Sequence, residues 1–188
     1  MFQKGFTLAE LLLVAVLIPI LGLTLVQLDL FTEYSFKRMT DRMLPEQEVE
    51  TALGFMERDV SKAVSVTVYN DPGWSVVVPP GNATPGDRVQ ITINDNNTPL
   101  STTDDDRVRY SISAGTILRQ YSVNGGAFDA GQVVARNITV LSLLQTVEQT
   151  ALPQQPQNVL RATVTAVLGG ATVTRTRFIT SRALRAAP

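Results

Sequence analysis

The chain of 188 residues contains no cysteine and no histidine. These two absences exclude thiolate nucleophiles, imidazole general bases, disulfide frameworks and zinc sites of the usual nitrogen and sulfur type. Basic and acidic residues are nearly balanced, 16 against 17, whereas a domain that binds phosphate backbones normally has a clear basic excess. We therefore expect neither an enzyme nor, from the overall charge, a nucleic-acid-binding protein. The length is typical of one domain with an appended segment.

The most prominent feature that is present is an apolar run near the N-terminus. Phe6 to Val26 comprises 21 residues with Glu10 as the one charged residue. As a helix, a segment of this length covers roughly the 30 Å hydrocarbon core of a bilayer. A cleavable signal peptide is the alternative, but the run is long for one and no A-x-A site follows it. We predict a membrane-spanning helix over residues 6–26.

The charges that flank the run predict its orientation. Lys4 and the N-terminal amine lie before it, and Asp29 and Glu33 lie after it. Because positive residues favour the cytoplasmic side, we expect a single-pass membrane protein with an extracytoplasmic domain from residue 27 to residue 188.

Glu10 is the unusual residue of the run. An ionised carboxylate within a bilayer is costly and is normally retained only with a partner. No Lys or Arg occurs between Phe6 and Lys37 to supply a cation from the same helix. Two explanations stand: Glu10 reaches back to the nearby headgroups, or its cation comes from another molecule.

The nine residues KGFTLAELL, from Lys4 to Leu12, resemble the leader junction of type IV prepilins and type II secretion pseudopilins. The resemblance implies that a prepilin peptidase cuts between Gly5 and Phe6, removes residues 1–5 as a leader, and N-methylates Phe6. It also implies that Glu10 pairs with the Phe6 nitrogen of a neighbouring subunit. The resemblance further implies a location in the bacterial inner membrane and then in a pilus or pseudopilus. The implied partners are other pilin or pseudopilin subunits, the peptidase, an inner-membrane assembly platform driven by ATP, and membrane lipid before assembly.

Pro19 lies inside the apolar run and lacks the N–H that a helix interior uses. An ordinary kink of a membrane helix is one explanation. The other, which the resemblance implies, is an assembly role in which the stretch between Ala15 and Gly22 melts when the subunit leaves the bilayer.

Beyond Val26 the pattern remains helical and then changes to that of strands. The apolar residues from Val49 to Ala63 recur at spacings of four and three, which predicts a core-facing helical stripe. Pro45 either kinks this helix or starts a second one, and the helix is expected to end near Val64 to Val68. We predict eight strands, over residues 74–78, 88–93, 107–113, 116–123, 133–139, 140–147, 160–168 and 172–180. Short connections between them favour a mainly antiparallel sheet, packed on the helix in an α+β fold.

Two hairpins are specific enough to predict their register. A loop at Ala114–Gly115 would pair Val108 with Tyr121 and Ile112 with Ile117 on one face, and Arg109 with Gln120 on the other. The second hairpin turns at Gly169–Gly170. A two-residue loop would set Val164 opposite Arg175 and Ala162 opposite Arg177. We favour a three-residue loop that includes Ala171, because it pairs Ala162 with Phe178 and places the two arginines beside Thr165 and Thr163 on a polar face.

Two clusters are considered as binding sites and set aside. Calcium ligands would come from Asp95, Asp104, Asp105 and Asp106, but the spacing fits no EF-hand, and solvated loop acids are the favoured interpretation. Contact with DNA phosphates would come from the C-terminal arginines at positions 161, 175, 177, 182 and 185, but a solvated sheet face is favoured, so DNA is not expected as a partner.

The function expected from the sequence is that of a non-enzymatic filament subunit without a cofactor. The stretch from Glu57 to Val60 and the final strand ending at Thr176 to Thr180 resemble J-type minor pseudopilins and W-type minor pilins. This likeness implies a pilin-like fold and a place in a priming or tip complex. The alternative is a single-pass membrane-anchored binding module, in which Glu10 has no role in assembly.

Overall fold

The computed structural model describes residues 7–80, 84–93, 105–148 and 157–181. The chain divides into two compact units, residues 1–41 and residues 42–188. Gly5 and Phe6, and the metal candidates Asp95 and Asp104, lie outside the described residues. The predicted boundary at residue 26 marks the end of the apolar run, and it stays a prediction.

In the described part of the chain one helix and nine strands follow one another. Helix α1 comprises Leu8–Val60. The strands are β1 (Ala63–Tyr69), β2 (Val77–Val78), β3 (Arg88–Ile93), β4 (Asp106–Ser113), β5 (Thr116–Ser122), β6 (Gln132–Ala135), β7 (Ile138–Glu148), β8 (Gln157–Leu168) and β9 (Ala171–Thr180). The predicted α+β class is confirmed.

The second half of α1 supplies a core-facing stripe. Its buried residues are Pro45, Val49, Ala52, Leu53, Met56, Asp59 and Val60. Their spacing places them on one side of the helix, so the predicted stripe is confirmed. Pro45 lies inside α1, and the alternative of a second helix starting there is wrong. The helix ends at Val60, and residues 64–68 belong to β1.

The strands form two sheets instead of the single sheet that was expected. The first has the order β2-β1-β3-β4-β5-β6 and the second the order β7-β8-β9, and every neighbouring pair is antiparallel. Two backbone hydrogen bonds of 2.8 Å between Gly86 and Leu143 join the sheets. A Cβ atom at Gly86 would lie 2.3 Å from the Tyr69 carbonyl oxygen, so only glycine permits this close approach.

The core lies between the stripe of α1 and the inner faces of both sheets. Its largest fully buried side chains are Tyr110, Leu53, Met56, Ile91, Ile117, Ile138, Leu143 and Leu160. Alternate residues of β4 and β8 point into it, as the two-residue period of a strand requires. Apolar burial of this extent stabilises residues 42–188 as a unit.

The first predicted hairpin is confirmed, and the second is present with its turn at Gly169–Gly170 but in a different register from the favoured one. Val108 pairs with Tyr121, Ile112 with Ile117 and Arg109 with Gln120, as expected. In the second hairpin, Leu168 pairs with Ala171 across the two-residue loop Gly169–Gly170.

This register sets Arg175 opposite Val164 and Arg177 opposite Ala162, on the helix-facing side of the sheet. The prediction assumed that arginines must face solvent. Here they lie beside carboxylates of α1 and remain 50% and 35% exposed.

Candidate functional site at the start of the apolar helix

The first part of α1 presents its apolar side chains outwards. From Leu8 to Val26 its leucine, isoleucine and valine side chains are between 44 and 80% exposed. The most apolar 18-residue window of the helix has a mean hydropathy of 2.6, and none of it is buried inside the chain. The helix is long and apolar enough to cross a membrane. This segment therefore has no apolar partner among the described residues.

Thr7 and Glu10 form a reciprocal cap at the start of this helix. The Thr7 backbone N–H and the Thr7 hydroxyl each donate a hydrogen bond of 2.9 Å to Oε2 of Glu10. In return, the Glu10 backbone N–H lies 3.4 Å from the Thr7 hydroxyl oxygen. This is a capping box, in which the side chains of the N-cap residue and of the third helical residue satisfy amides that have no partner within the helix.

The cap leaves the charge of Glu10 without a countercharge in the described chain. No lysine or arginine of the described residues lies within 4 Å of its carboxylate. Both hydrogen bonds from Thr7 end on Oε2, and no described donor reaches Oε1. A carboxylate accepts up to four hydrogen bonds, so half of this group is open to a donor from elsewhere.

Thr7 belongs to the candidate site but was not predicted from the sequence. Its signal was present locally, because Thr7-Leu8-Ala9-Glu10 matches the capping-box pattern of Ser or Thr followed three residues later by Glu or Gln. Pro19, the other residue expected to act in assembly, lies within α1 and the helix continues on both sides of it. Melting near Pro19 therefore stays a prediction, as do the cleavage at Gly5 and the methylation of Phe6.

A second polar centre, buried in the core, joins the end of α1 to the first sheet. Oδ2 of Asp59 accepts hydrogen bonds from the Tyr110 hydroxyl at 2.5 Å and from Nε of Arg119 at 2.7 Å. The Asp59 side chain is 5% exposed and that of Arg119 is 17% exposed. Arg58 approaches the other carboxylate oxygen at 3.4 Å. Buried charges need such pairing, and this cluster fixes α1 against β4 and β5.

The cluster shifts the pKa values of Tyr110 and Arg119. Burial, followed by the negative charge of Asp59, raises the pKa of the Tyr110 hydroxyl above its ordinary value. Burial by itself would lower the pKa of Arg119, but the hydrogen bond and charge of Asp59 outweigh it and raise that pKa. The cluster therefore stabilises a neutral tyrosine beside a paired aspartate and arginine, which is a structural arrangement.

A row of ion pairs links the last strand to α1. Arg175 contacts Glu46 at 2.5 Å, and Arg177 contacts Glu50 at 2.7 Å and Glu57 at 2.8 Å. The carboxylates follow one flank of the helix, and the arginines are two residues apart on β9. Arg175 and Arg177 keep 50% and 35% exposure, so this part of the sheet is partly solvated as predicted, but the prediction did not include their ion pairs with α1.

The two described metal candidates are buried, so the prediction of solvated loop acids is wrong for them. Asp105 is 1% exposed and Asp106 is 4% exposed. Asp106 accepts hydrogen bonds from the Asn124 backbone N–H at 2.9 Å and from the Tyr121 hydroxyl. Within the described ranges no three acidic residues converge in a metal-binding group. These contacts account for the burial of Asp106, and calcium stays untested.

No model of a known protein family matches the chain, and no curated protein is significantly similar to it.

Proposed function

We propose that the chain is a subunit of a type IV pilus or type II secretion filament, made as an inner-membrane precursor and assembled through α1. In this proposal a peptidase cuts after Gly5, Phe6 becomes the N-methylated terminus, and the domain that follows the apolar run lies outside the cytoplasm with a pilin-like fold. The proposed role is that of a minor subunit in a priming or tip complex.

The observation that carries the proposal is the combination of an exposed apolar helix with a single charge near its start. The leucine, isoleucine and valine side chains between Leu8 and Val26 are all more than 40% exposed, so the segment needs lipid or other helices around it. Lipid alone leaves Glu10 without a cation. A neighbouring subunit that brings its own N-terminal amine to this depth would supply one, and the unused Oε1 of Glu10 is available to accept from it.

The capping box favours a second candidate, a membrane-anchored binding module. Thr7 gives the Glu10 carboxylate two hydrogen bonds within its own helix, which reduces its need for a partner. If the cap is the whole role of Glu10, the residue only starts a membrane anchor, and the extracytoplasmic domain acts alone.

The mass of the mature N-terminus separates these candidates. We expect a chain that begins with methylated Phe6 in cells that contain the peptidase, and an uncut precursor from the Gly5→Leu variant, because a bulky side chain would obstruct the scissile bond. Normal maturation of Gly5→Leu would contradict the cleavage site. An intact Met1 in the parent chain would support the anchored module.

Three substitutions then separate the charge of Glu10 from its capping role. Glu10→Gln keeps the cap, since glutamine also serves at this position, but it removes the charge. Thr7→Ala removes the hydroxyl from the cap, keeps the backbone N–H of residue 7 as a donor to Oε2, and keeps the charge. Glu10→Leu removes the charge together with the acceptor for both hydrogen bonds from Thr7. If the charge pairs with a neighbour, the two Glu10 variants should lower association by roughly a hundredfold, and Thr7→Ala should assemble far better.

The measurement is filament number and co-purification of partner subunits at matched expression, with the membrane-inserted precursor quantified as a control. Assembly by Glu10→Gln that equals the parent would show that the charge is dispensable. In that case the anchored module becomes the better explanation.

A further inference from the structure

The two sheets have four outer edges, and three of them are short or covered. Strand β2 has two residues and is followed by Pro79 and Pro80. Strand β6 has four residues and a register irregularity beside it. Strand β7 is tied to the first sheet by the paired hydrogen bonds between Gly86 and Leu143. Natural sheets protect their edges in these ways against pairing with other chains.

Strand β9 is the fourth edge and has none of these protections. It is ten residues long and pairs with β8 in unbroken register from Val159–Thr180 to Leu168–Ala171. It contains no proline and no bulge. Of the strands in the described ranges, only β8 pairs with it.

The hairpin geometry determines which backbone groups of β9 face outwards. Gly169 and Gly170 both have positive φ, 58° and 84°, as the two central residues of a type I′ hairpin turn do. The residues that flank such a loop, Leu168 and Ala171, form a hydrogen-bonded pair, and such pairs alternate along the strands. The N–H and C=O groups of Thr174, Thr176 and their even-numbered neighbours therefore point away from β8.

The side chains of β9 leave this edge open. Arg175 and Arg177, whose charge would otherwise guard the edge, are drawn to the carboxylates of α1. On the other face, the hydroxyls of Thr174 and Thr176 form hydrogen bonds of 2.9 Å with the hydroxyls of Thr165 and Thr163 of β8, respectively. The edge thus presents a regular row of backbone donors and acceptors about 6.8 Å apart.

We propose that the outer edge of β9 is a strand-addition site for an extended segment of another protein. A second copy of this chain fits less well, because a twofold antiparallel pairing of two β9 strands centred on Arg175, Thr176 or Arg177 sets arginines of the two copies opposite one another. Strand β8 shows which side chains suit a neighbour of β9: threonines on the outer face, and small apolar residues such as Ala162 and Val164 beside the arginines. The site does not depend on the proposed filament function.

Amide exchange in the full chain, held in detergent micelles, tests this proposal. The probe is a synthetic peptide with the sequence of residues 159–168, and the control peptide carries Val164→Pro. In the chain alone, the amides of Thr174 and Thr176 should exchange much faster than those of Arg175 and Arg177. The probe should slow the Thr174 and Thr176 amides by about tenfold, whereas the control should not.

A matched pair of variants locates the binding. Thr174→Pro removes an outward N–H without touching the ladder to β8 and should weaken peptide binding, whereas Thr174→Val should not. Retained protection of Arg175 and Arg177 shows that Thr174→Pro is folded, and Thr176→Pro replaces it if it is not.

Three results would overturn the proposal. Thr174 and Thr176 amides that are already protected in the chain alone would mean that this chain covers its own edge. Protection that grows with protein concentration, without peptide, would assign the edge to a second copy. Exchange that the peptide leaves unchanged would mean that no strand adds there.

Discussion

Asp59→Ala should be among the most destabilising single substitutions in residues 42–188. The carboxylate is the acceptor for both the Tyr110 hydroxyl and the Arg119 guanidinium, and Tyr110 is completely buried. Removing one side of a buried ion pair costs about 3–5 kcal/mol, because the other charge stays buried without its partner. Since the Arg119 side chain keeps 17% exposure, we expect the lower end, about 3 kcal/mol. That is a large fraction of a typical domain stability of about 5–15 kcal/mol.

Tyr110→Phe provides the comparison, since it removes one hydrogen bond and leaves the ion pair. A hydrogen bond to a charged group contributes about 1.5–3 kcal/mol, and we expect about 1.5 kcal/mol because Arg119 still satisfies the carboxylate. Urea unfolding of a chain that starts at Leu28 measures both values, with an unchanged m-value as the sign of two-state behaviour. The double variant should lose less than the sum of the single losses. An Asp59→Ala loss below about 1 kcal/mol, additive with Tyr110→Phe, would refute the coupled buried cluster.

The same cluster predicts a dependence of stability on alkaline pH. The folded state raises the pKa of Tyr110 above the unfolded value of about 10. The stabilisation from the neutral hydroxyl is therefore complete below pH 10 or so and is lost as the pH rises towards the folded pKa. Between about pH 9 and 11 the free energy of unfolding in urea should fall more steeply for the parent than for Tyr110→Phe. Tyr69→Phe is the control, since it removes a different tyrosine hydroxyl and should behave as the parent does. Equal slopes for all three chains would contradict a buried neutral Tyr110.

Two further predictions concern the domain as a whole. A chain that starts at Leu28 should be soluble and give a mixed helix and strand spectrum by circular dichroism, because the buried residues of α1 begin at Pro45. An unfolded product would show that the domain needs its apolar segment or a partner. Gly86→Ala should lower the free energy of unfolding in urea by about 1–3 kcal/mol, because a Cβ there would overlap the Tyr69 carbonyl. Gly54→Ala, on an open helix surface, should instead raise it by about 0.5–1 kcal/mol. Equal effects of the two substitutions would argue against the close approach at Gly86.

Local patterns predicted those elements whose periodicity reflects burial alone. The stripe of α1 from Val49 onwards and the hairpin at Ala114–Gly115 follow from spacing and turn chemistry, and both are found as expected. The hairpin at Gly169–Gly170 could not be predicted in the same way. Its sidedness depends on Glu46, Glu50 and Glu57, more than 100 residues earlier, which neutralise arginines that a local pattern assigns to solvent.

The polar centres differ in the same respect. The cap at Thr7 and Glu10 is local, and its four-residue pattern carries the signal that would have predicted it, although no cap was predicted. The cluster at Asp59 joins side chains that are 51 and 60 residues apart in the sequence, and no spacing rule connects them. A buried aspartate on the apolar face of a helix is a signal that a partner exists, but the sequence does not say which arginine or tyrosine supplies it.

The cap and the proposed assembly role of Glu10 are compatible, and the geometry relates one to the other. Thr7 holds Oε2 of the Glu10 carboxylate at the first turn of α1, so the Glu10 side chain is already ordered. The other oxygen, Oε1, accepts no hydrogen bond from a described donor. An ordered acceptor loses less conformational entropy when a second donor arrives, which favours pairing with a neighbour's amine. Thr7→Ala should therefore weaken assembly slightly, and less than Glu10→Gln, which keeps the order but removes the charge. The reverse ranking would mean that Glu10 acts through the helix it caps and not through a neighbouring subunit.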